Sequence, residues 1–211
     1  MLKSRLVDGK KVDRSLAGLG RLGLSPNAWT ALALAVALGG FLALVGNRLL
    51  LGFLLFLLSG FLDMVDGAVA RATGRASAAG AFLDGVLDRY VEVLLILGLL
   101  FYLGPETSFF IPIGAWIAIL IFGAVMTSFV RAYADHRGLV EDQKVLAKEM
   151  GGLLERAERL ILIYAGMIGA LLFGDDWLLG AIVLAAVLSN LTAVQRIFLA
   201  MRYGRRLTPD E

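Results

Sequence analysis

The sequence has no cysteine, a single histidine and only four prolines. Without cysteine there is no disulfide, no thiolate nucleophile and no sulfur-ligated metal. His136 alone excludes a histidine-rich metal site as well. Charge is also scarce: charged residues make up 18% of the chain and hydrophobic ones 59%. With a mean hydropathy of +0.80, that composition excludes an ordinary soluble domain and points to an all-α, polytopic membrane protein. No internal repeat and no second domain is apparent.

What is present is a series of long apolar runs. They extend from Ala28 to Val45, Leu49 to Ala72, Gly80 to Tyr102, Ile111 to Tyr133, Glu158 to Phe173 and Trp177 to Met201. Ser25-Pro26-Asn27 is a helix-start signal, with a capping residue followed by proline in the first turn. Gly46-Asn47-Arg48 reads as a turn, and residues 73–79, 103–110 and 134–157 as loops, the last with room for a short surface helix. Six spans of roughly 20 residues suit a hydrocarbon core of about 30 Å. Residues 1–25 alternate Lys3, Arg5, Lys10, Lys11, Arg14 and Arg21 with leucines, and lack the apolar core and cleavage site of a signal peptide. They read as an amphipathic helix on the membrane surface. With six spans, all of the 20 basic residues except Arg48 and Arg89 fall on one side. The positive-inside rule makes that side, which holds both termini, cytoplasmic.

Four aspartates interrupt the second and third runs. Asp63, Asp66, Gly67, Ala70 and Gly74 fall within about 100° of arc on a helix. Ser77, Gly80, Ala81, Asp84 and Asp88 form a similar face on the next. An acid inside a membrane costs roughly 2.5–3.5 kcal/mol and is functional by default. Carboxylates three and four residues apart can converge on one cation, and an all-oxygen ligand set favours magnesium, manganese or calcium. The small residues beside them let a ligand or another backbone approach closely. All four acids lie toward the cytoplasmic ends of their helices, so the site opens inward. The competing structural reading pairs these acids with Arg71, Arg75 and Arg89 as bundle fasteners, but it leaves four acids on two stripes of small residues unexplained.

The spacing D-x-x-D-G-x-x-A-R-x8-G-x-x-x-D-x-x-x-D resembles the signature of the CDP-alcohol phosphotransferases. Asp63, Asp66, Gly67, Ala70, Arg71, Gly80, Asp84 and Asp88 fill it without a gap. The resemblance implies a six-helix domain over residues 26–203, preceded by the juxtamembrane segment 1–25 and followed by a cytoplasmic tail, 204–211. It implies two divalent cations, Mg2+ or Mn2+, held by Asp63, Asp66, Asp84 and Asp88, with Asp88 as the base that deprotonates the acceptor hydroxyl. A CDP-lipid would lie against Gly67, Ala70, Arg71 and Gly80, and also near Asn27, Thr30 and Ser77. Read from the residues alone, those last three are equally a helix cap, a hydroxyl bonded to its own helix and a turn residue.

Three arginines bear on the acceptor. Arg131 ends the fourth run, Arg159 opens the fifth and Arg196 lies in the last third of the sixth. An arginine cluster suits a phosphorylated acceptor, although helix-end arginines also snorkel to lipid headgroups. The segments 128–139 and 152–160 resemble those of phosphatidylinositol-phosphate synthases and their archaeal counterparts, in which these positions bind inositol 1-phosphate. Arg137 and Arg156 are expected to pair on the surface with Asp135, Glu155 or Glu158. The expectation is a membrane-bound homodimer with no nucleic-acid partner that joins CDP-diacylglycerol or CDP-archaeol to inositol 1-phosphate. Glycerol 3-phosphate is the alternative acceptor, and a divalent-cation transporter is the distant alternative from another class.

Overall fold

A computed structural model describes residues 26–74, 77–105, 107–108, 110–139 and 151–207. The N-terminal segment expected to be amphipathic and residues 140–150 of the 134–157 loop lie outside the described residues. Among the described residues the helices are α1 (Pro26–Val45), α2 (Leu49–Ala72), α3 (Ala78–Leu103), α4 (Ile113–His136), α5 (Arg156–Phe173) and α6 (Asp176–Leu207). They correspond one to one with the six apolar runs. Among the described residues, one short antiparallel rung pairs β1 (Thr107–Ser108), in the expected 103–110 loop, with β2 (Ile111–Pro112), at the start of the fourth apolar run.

Among the described residues, four helices are long and apolar enough to cross a membrane, over Ala28–Val45, Leu49–Ala72, Ile113–His136 and Asp176–Gly204. The other two carry their charge inside the helix. Asp84, Asp88, Arg89 and Glu92 interrupt α3, and Arg156, Glu158 and Arg159 occupy the first turn of the 18-residue α5. Large apolar side chains face outward on several helices, for example Leu42 at 65% exposure, Phe122 at 60% and Phe198 at 69%. Such a surface is costly in water and natural against acyl chains.

The chain divides into two compact units at Gly104 and Pro105. In the first, α1 packs on both α2 and α3. The junction is Leu44, fully buried on α1. A methyl group added at Gly52 of α2 would meet its side chain at 2.5 Å, and one at Gly98 of α3 at 2.7 Å. The two glycines therefore form the recess that accepts Leu44, and close backbone approach fastens the three helices. Gly40 opposes Phe56 in the same way, at 2.9 Å. The α1–α2 link turns at Asn47, whose φ of 58° is the left-handed conformation that asparagine tolerates.

In the second unit α6 packs on both α4 and α5. Gly123 of α4 faces Ser189 and Asn190 of α6, and Asn190 Nδ2 donates to the Ile119 carbonyl at 2.9 Å. Gly166 and Gly169 of α5 face Ala181 and Trp177 of α6. These three glycines pack helices inside the unit, whereas Gly114 meets nothing. At 32 residues, α6 runs past Met201, where its apolar pattern ends.

The recess for Leu44 yields a stability prediction. Gly98→Val should destabilise the detergent-solubilised protein by about 1–3 kcal/mol through overpacking. Gly60→Val and Gly85→Val, where an added Cβ meets nothing within 4 Å, should lower the thermal midpoint much less.

Candidate active site

The acidic face expected from the sequence forms in the first unit. Asp63 and Asp66 project from α2 and Asp84 from α3, and each offers a carboxylate oxygen within 4.8 Å of the others. Asp66 is the most enclosed, at 6% exposure, while Asp63 is half-buried and Asp84 exposed. The set is thus seated at its base and open at its rim. Asp88, one turn further along α3 and half-buried, is outside the trio, although its charge acts on Asp66 together with that of Asp84. The donors are all carboxylate oxygens, so the trio fits a hard divalent cation and offers nothing to a soft one.

Three flanking residues make contacts that the sequence did not specify. Gly67 does not simply leave open space: a methyl group there would stand 3.2 Å from Nη1 of Arg71, so the guanidinium folds back over this glycine. Ser77 is the N-cap of α3, and its Oγ accepts from the Gly80 amide at 3.0 Å. That cap satisfies a donor in the first turn and sets where α3, and with it Asp84, begins. Thr30 Oγ1 donates to Asp66 Oδ2 at 2.7 Å rather than acting only within its own helix. Asn27 lies in the first turn of α1, with its side chain outside the description; Ala70 is half-buried on α2.

Sequence reasoning passed over Glu92. It lies one turn beyond Asp88, is 2% exposed, and pairs with Arg89 at 3.0 Å. Arg89 therefore has a carboxylate partner outside the four-aspartate motif. The three-residue spacing from Arg89 was the available signal.

The three arginines gather in the second unit, one from each of its helices. Arg159 of α5 is fully buried, Arg196 of α6 is 5% exposed and Arg131 of α4 is half-buried. The charges of Arg131 and Arg159 both act on Arg196. Arg196 Nη1 donates to the Thr127 carbonyl, and Nη2 donates to Glu155 at 3.3 Å. Among the described residues its buried Nε has no hydrogen-bond partner. Glu155 was expected to pair on the surface with Arg156 or Arg137. It occupies the N-cap position of α5 but makes no side-chain cap, and its carboxylate reaches Arg196 on α6. The preceding residue is fastened to the same helix, since the Leu154 amide donates to Thr192 Oγ1 at 3.0 Å. Arg137 lies over the Tyr133 ring at 6.0 Å. A gathering of guanidinium groups of this kind suits an anion.

Comparison with known proteins agrees with this chemistry. Residues 24–199 match the CDP-alcohol phosphatidyltransferase family. The archaetidylinositol phosphate synthase of Methanothermobacter thermautotrophicus is 32% identical over 177 residues, which are 84% of this chain and 83% of that one. The crystal structure of Mycobacterium tuberculosis phosphatidylinositol phosphate synthase with CDP-DAG bound superposes with a TM-score of 0.73 at 28% identity, covering 92% of this chain and 93% of the other. The same enzyme in complex with manganese and citrate gives a TM-score of 0.72 at 28% identity, over 92% and 88% of the two chains. The chain belongs to the CDP-alcohol phosphatidyltransferase family and is a membrane transferase of phospholipid biosynthesis.

Proposed function

We propose that this enzyme transfers the phosphatidyl or archaetidyl group of a CDP-lipid to a hydroxyl of inositol 1-phosphate and releases CMP. The observation that carries the reading is the meeting of Asp63, Asp66 and Asp84 with ligand oxygens within 4.8 Å of one another. The buried arginine cluster of the second unit supports the phosphorylated acceptor, as do the relatives that make inositol phosphate lipids.

Asp63, Asp66, Asp84 and Asp88 would hold two divalent cations, Mg2+ or Mn2+. When bound, such a pair neutralises the diphosphate and stabilises the attacking and leaving oxygens together. Asp88, half-buried beside the trio, takes the proton of the acceptor hydroxyl as its oxygen bonds to the lipid-bearing phosphorus. The bond from that phosphorus to the bridging oxygen breaks, and CMP departs with the electron pair. Arg71 holds phosphate oxygens at the mouth of the site. Gly67, Ala70 and Gly80 keep bulk away from the nucleotide, with Asn27, Thr30 and Ser77 at its margin. Arg131, Arg159 and Arg196 receive the acceptor phosphate, for which the partnerless Nε of Arg196 is a ready donor.

In this reading the protein is a homodimer with six spans per chain. The surface helix 1–25 and both termini lie on the cytoplasmic side, and the active site opens there. Arg71 lies in the last turn of α2 and Arg131, Arg159 and Arg196 follow the same side of the charge distribution, as the positive-inside rule requires.

The primary test is CMP release by purified protein with CDP-diacylglycerol or CDP-archaeol and a panel of acceptors. Inositol 1-phosphate should be the preferred acceptor. Preference for glycerol 3-phosphate would keep the chemistry and change the acceptor; preference for unphosphorylated inositol or serine would remove the role given to the arginines. Chelation with EDTA should abolish CMP release, and Mg2+ or Mn2+ should restore it. Asp88→Asn should lower kcat by about 10²–10⁴-fold, the range for loss of a general base, with an unchanged thermal midpoint. Arg131→Gln should raise the KM for inositol 1-phosphate about 10–100-fold, as expected for a lost hydrogen bond between charged groups, while the KM for the CDP-lipid stays within twofold.

A further inference from the structure

The hydroxyl of Thr30 has an acceptor on another helix. Its Oγ1 donates to Oδ2 of Asp66 at 2.7 Å, linking α1 to α2 across 36 residues of sequence. The helices are held on either side of this bond. Trp29 and Ala33 of α1 pack with Leu62, Val65 and Val69 of α2 in one buried cluster. Two turns deeper along α2, Ser59 Oγ donates to the Ala33 carbonyl at 2.9 Å. The backbone positions of Thr30 and Asp66 are thus fixed by packing that does not depend on the bond between them.

Asp66 is the most enclosed of the three clustered carboxylates. A carboxylate can turn about its Cβ–Cγ bond, and with Asp63 and Asp84 so near, repulsion alone would turn its oxygens away from them. A charge-assisted hydrogen bond from a fixed hydroxyl holds one oxygen and so fixes the plane of the group. Metal-ligating carboxylates are characteristically oriented by such outer partners, whose removal costs 10–100-fold in metal affinity or activity.

We infer that Thr30 is a positioning residue of the metal site: its hydroxyl holds the Asp66 carboxylate in the orientation that completes the ligand set with Asp63 and Asp84. This rests on the metal-dependent reading above: Thr30 acts through Asp66 on the cation.

The test is direct Mn2+ binding to the full-length, detergent-solubilised protein, read from the loss of the free-Mn2+ electron paramagnetic resonance signal without substrate. Thr30→Val keeps the shape and removes the donor; it should weaken Mn2+ binding about 10–100-fold. Thr30→Ser keeps the donor and should bind within about threefold of wild type. Should Thr30→Val fold poorly, Thr30→Ala with the same Ser control gives the same comparison. Unchanged Mn2+ affinity in the donor-less variant overturns the inference alone. A wild-type protein that binds no Mn2+ overturns the metal reading and this inference with it.

Discussion

Three carboxylates from neighbouring helices meet within 4.8 Å in this protein. Two ionised carboxylates at that spacing repel by about 3–4 kcal/mol at an effective dielectric of about 20. The acid most buried among them accepts a hydrogen bond from the Thr30 hydroxyl, which carries no positive charge. Left to themselves the three groups would separate or take up protons. Keeping them together and ionised calls for a divalent cation, and the rest of the first unit is built so that they cannot separate. Leu44 in its two-glycine recess locks α1 against α2 and α3, and the Ser77 cap fixes the start of the helix that carries Asp84. The chemistry at one end of the unit thus depends on close packing near the other.

The second unit handles charge of the opposite sign by a related strategy. Burying Arg159 and Arg196 would be prohibitive without partners. The Thr127 carbonyl and the Glu155 carboxylate hold the Arg196 guanidinium and leave one edge with capacity for an incoming anion. Glu155 gives up the cap of its own helix to make this contact. A partly neutralised arginine cluster can persist before the acceptor binds and still reward the binding of a phosphate.

Much of this was legible in the sequence, and for physical reasons. The bounds of α2 could be read because Gly46-Asn47-Arg48 and Thr73-Gly74 punctuate the chain at both ends. The end of α6 could not: Arg202 stops the apolar pattern, but it does not stop the backbone hydrogen-bond ladder. The convergence of Asp63, Asp66 and Asp84 followed from helical periodicity on two adjacent helices. The roles of Thr30 and Glu155 did not, because their partners lie 36 and 41 residues away. Local rules read the threonine as bonding its own helix and the glutamate as pairing with a nearby surface arginine. Glu92 was hidden differently: its spacing from Arg89 was visible, whereas its burial depends on packing between helices.

Family membership is carried by the matched residues 24–199. The central claim is more local, that the aspartates of α2 and α3 jointly bind two divalent ions. The most direct measurement is anomalous scattering from crystals of this protein soaked in Mn2+. Two peaks about 3.5–4 Å apart, the spacing of two-metal sites, should appear with Asp63, Asp66, Asp84 and Asp88 around them. Peaks elsewhere on the protein, with none among these aspartates, would contradict it.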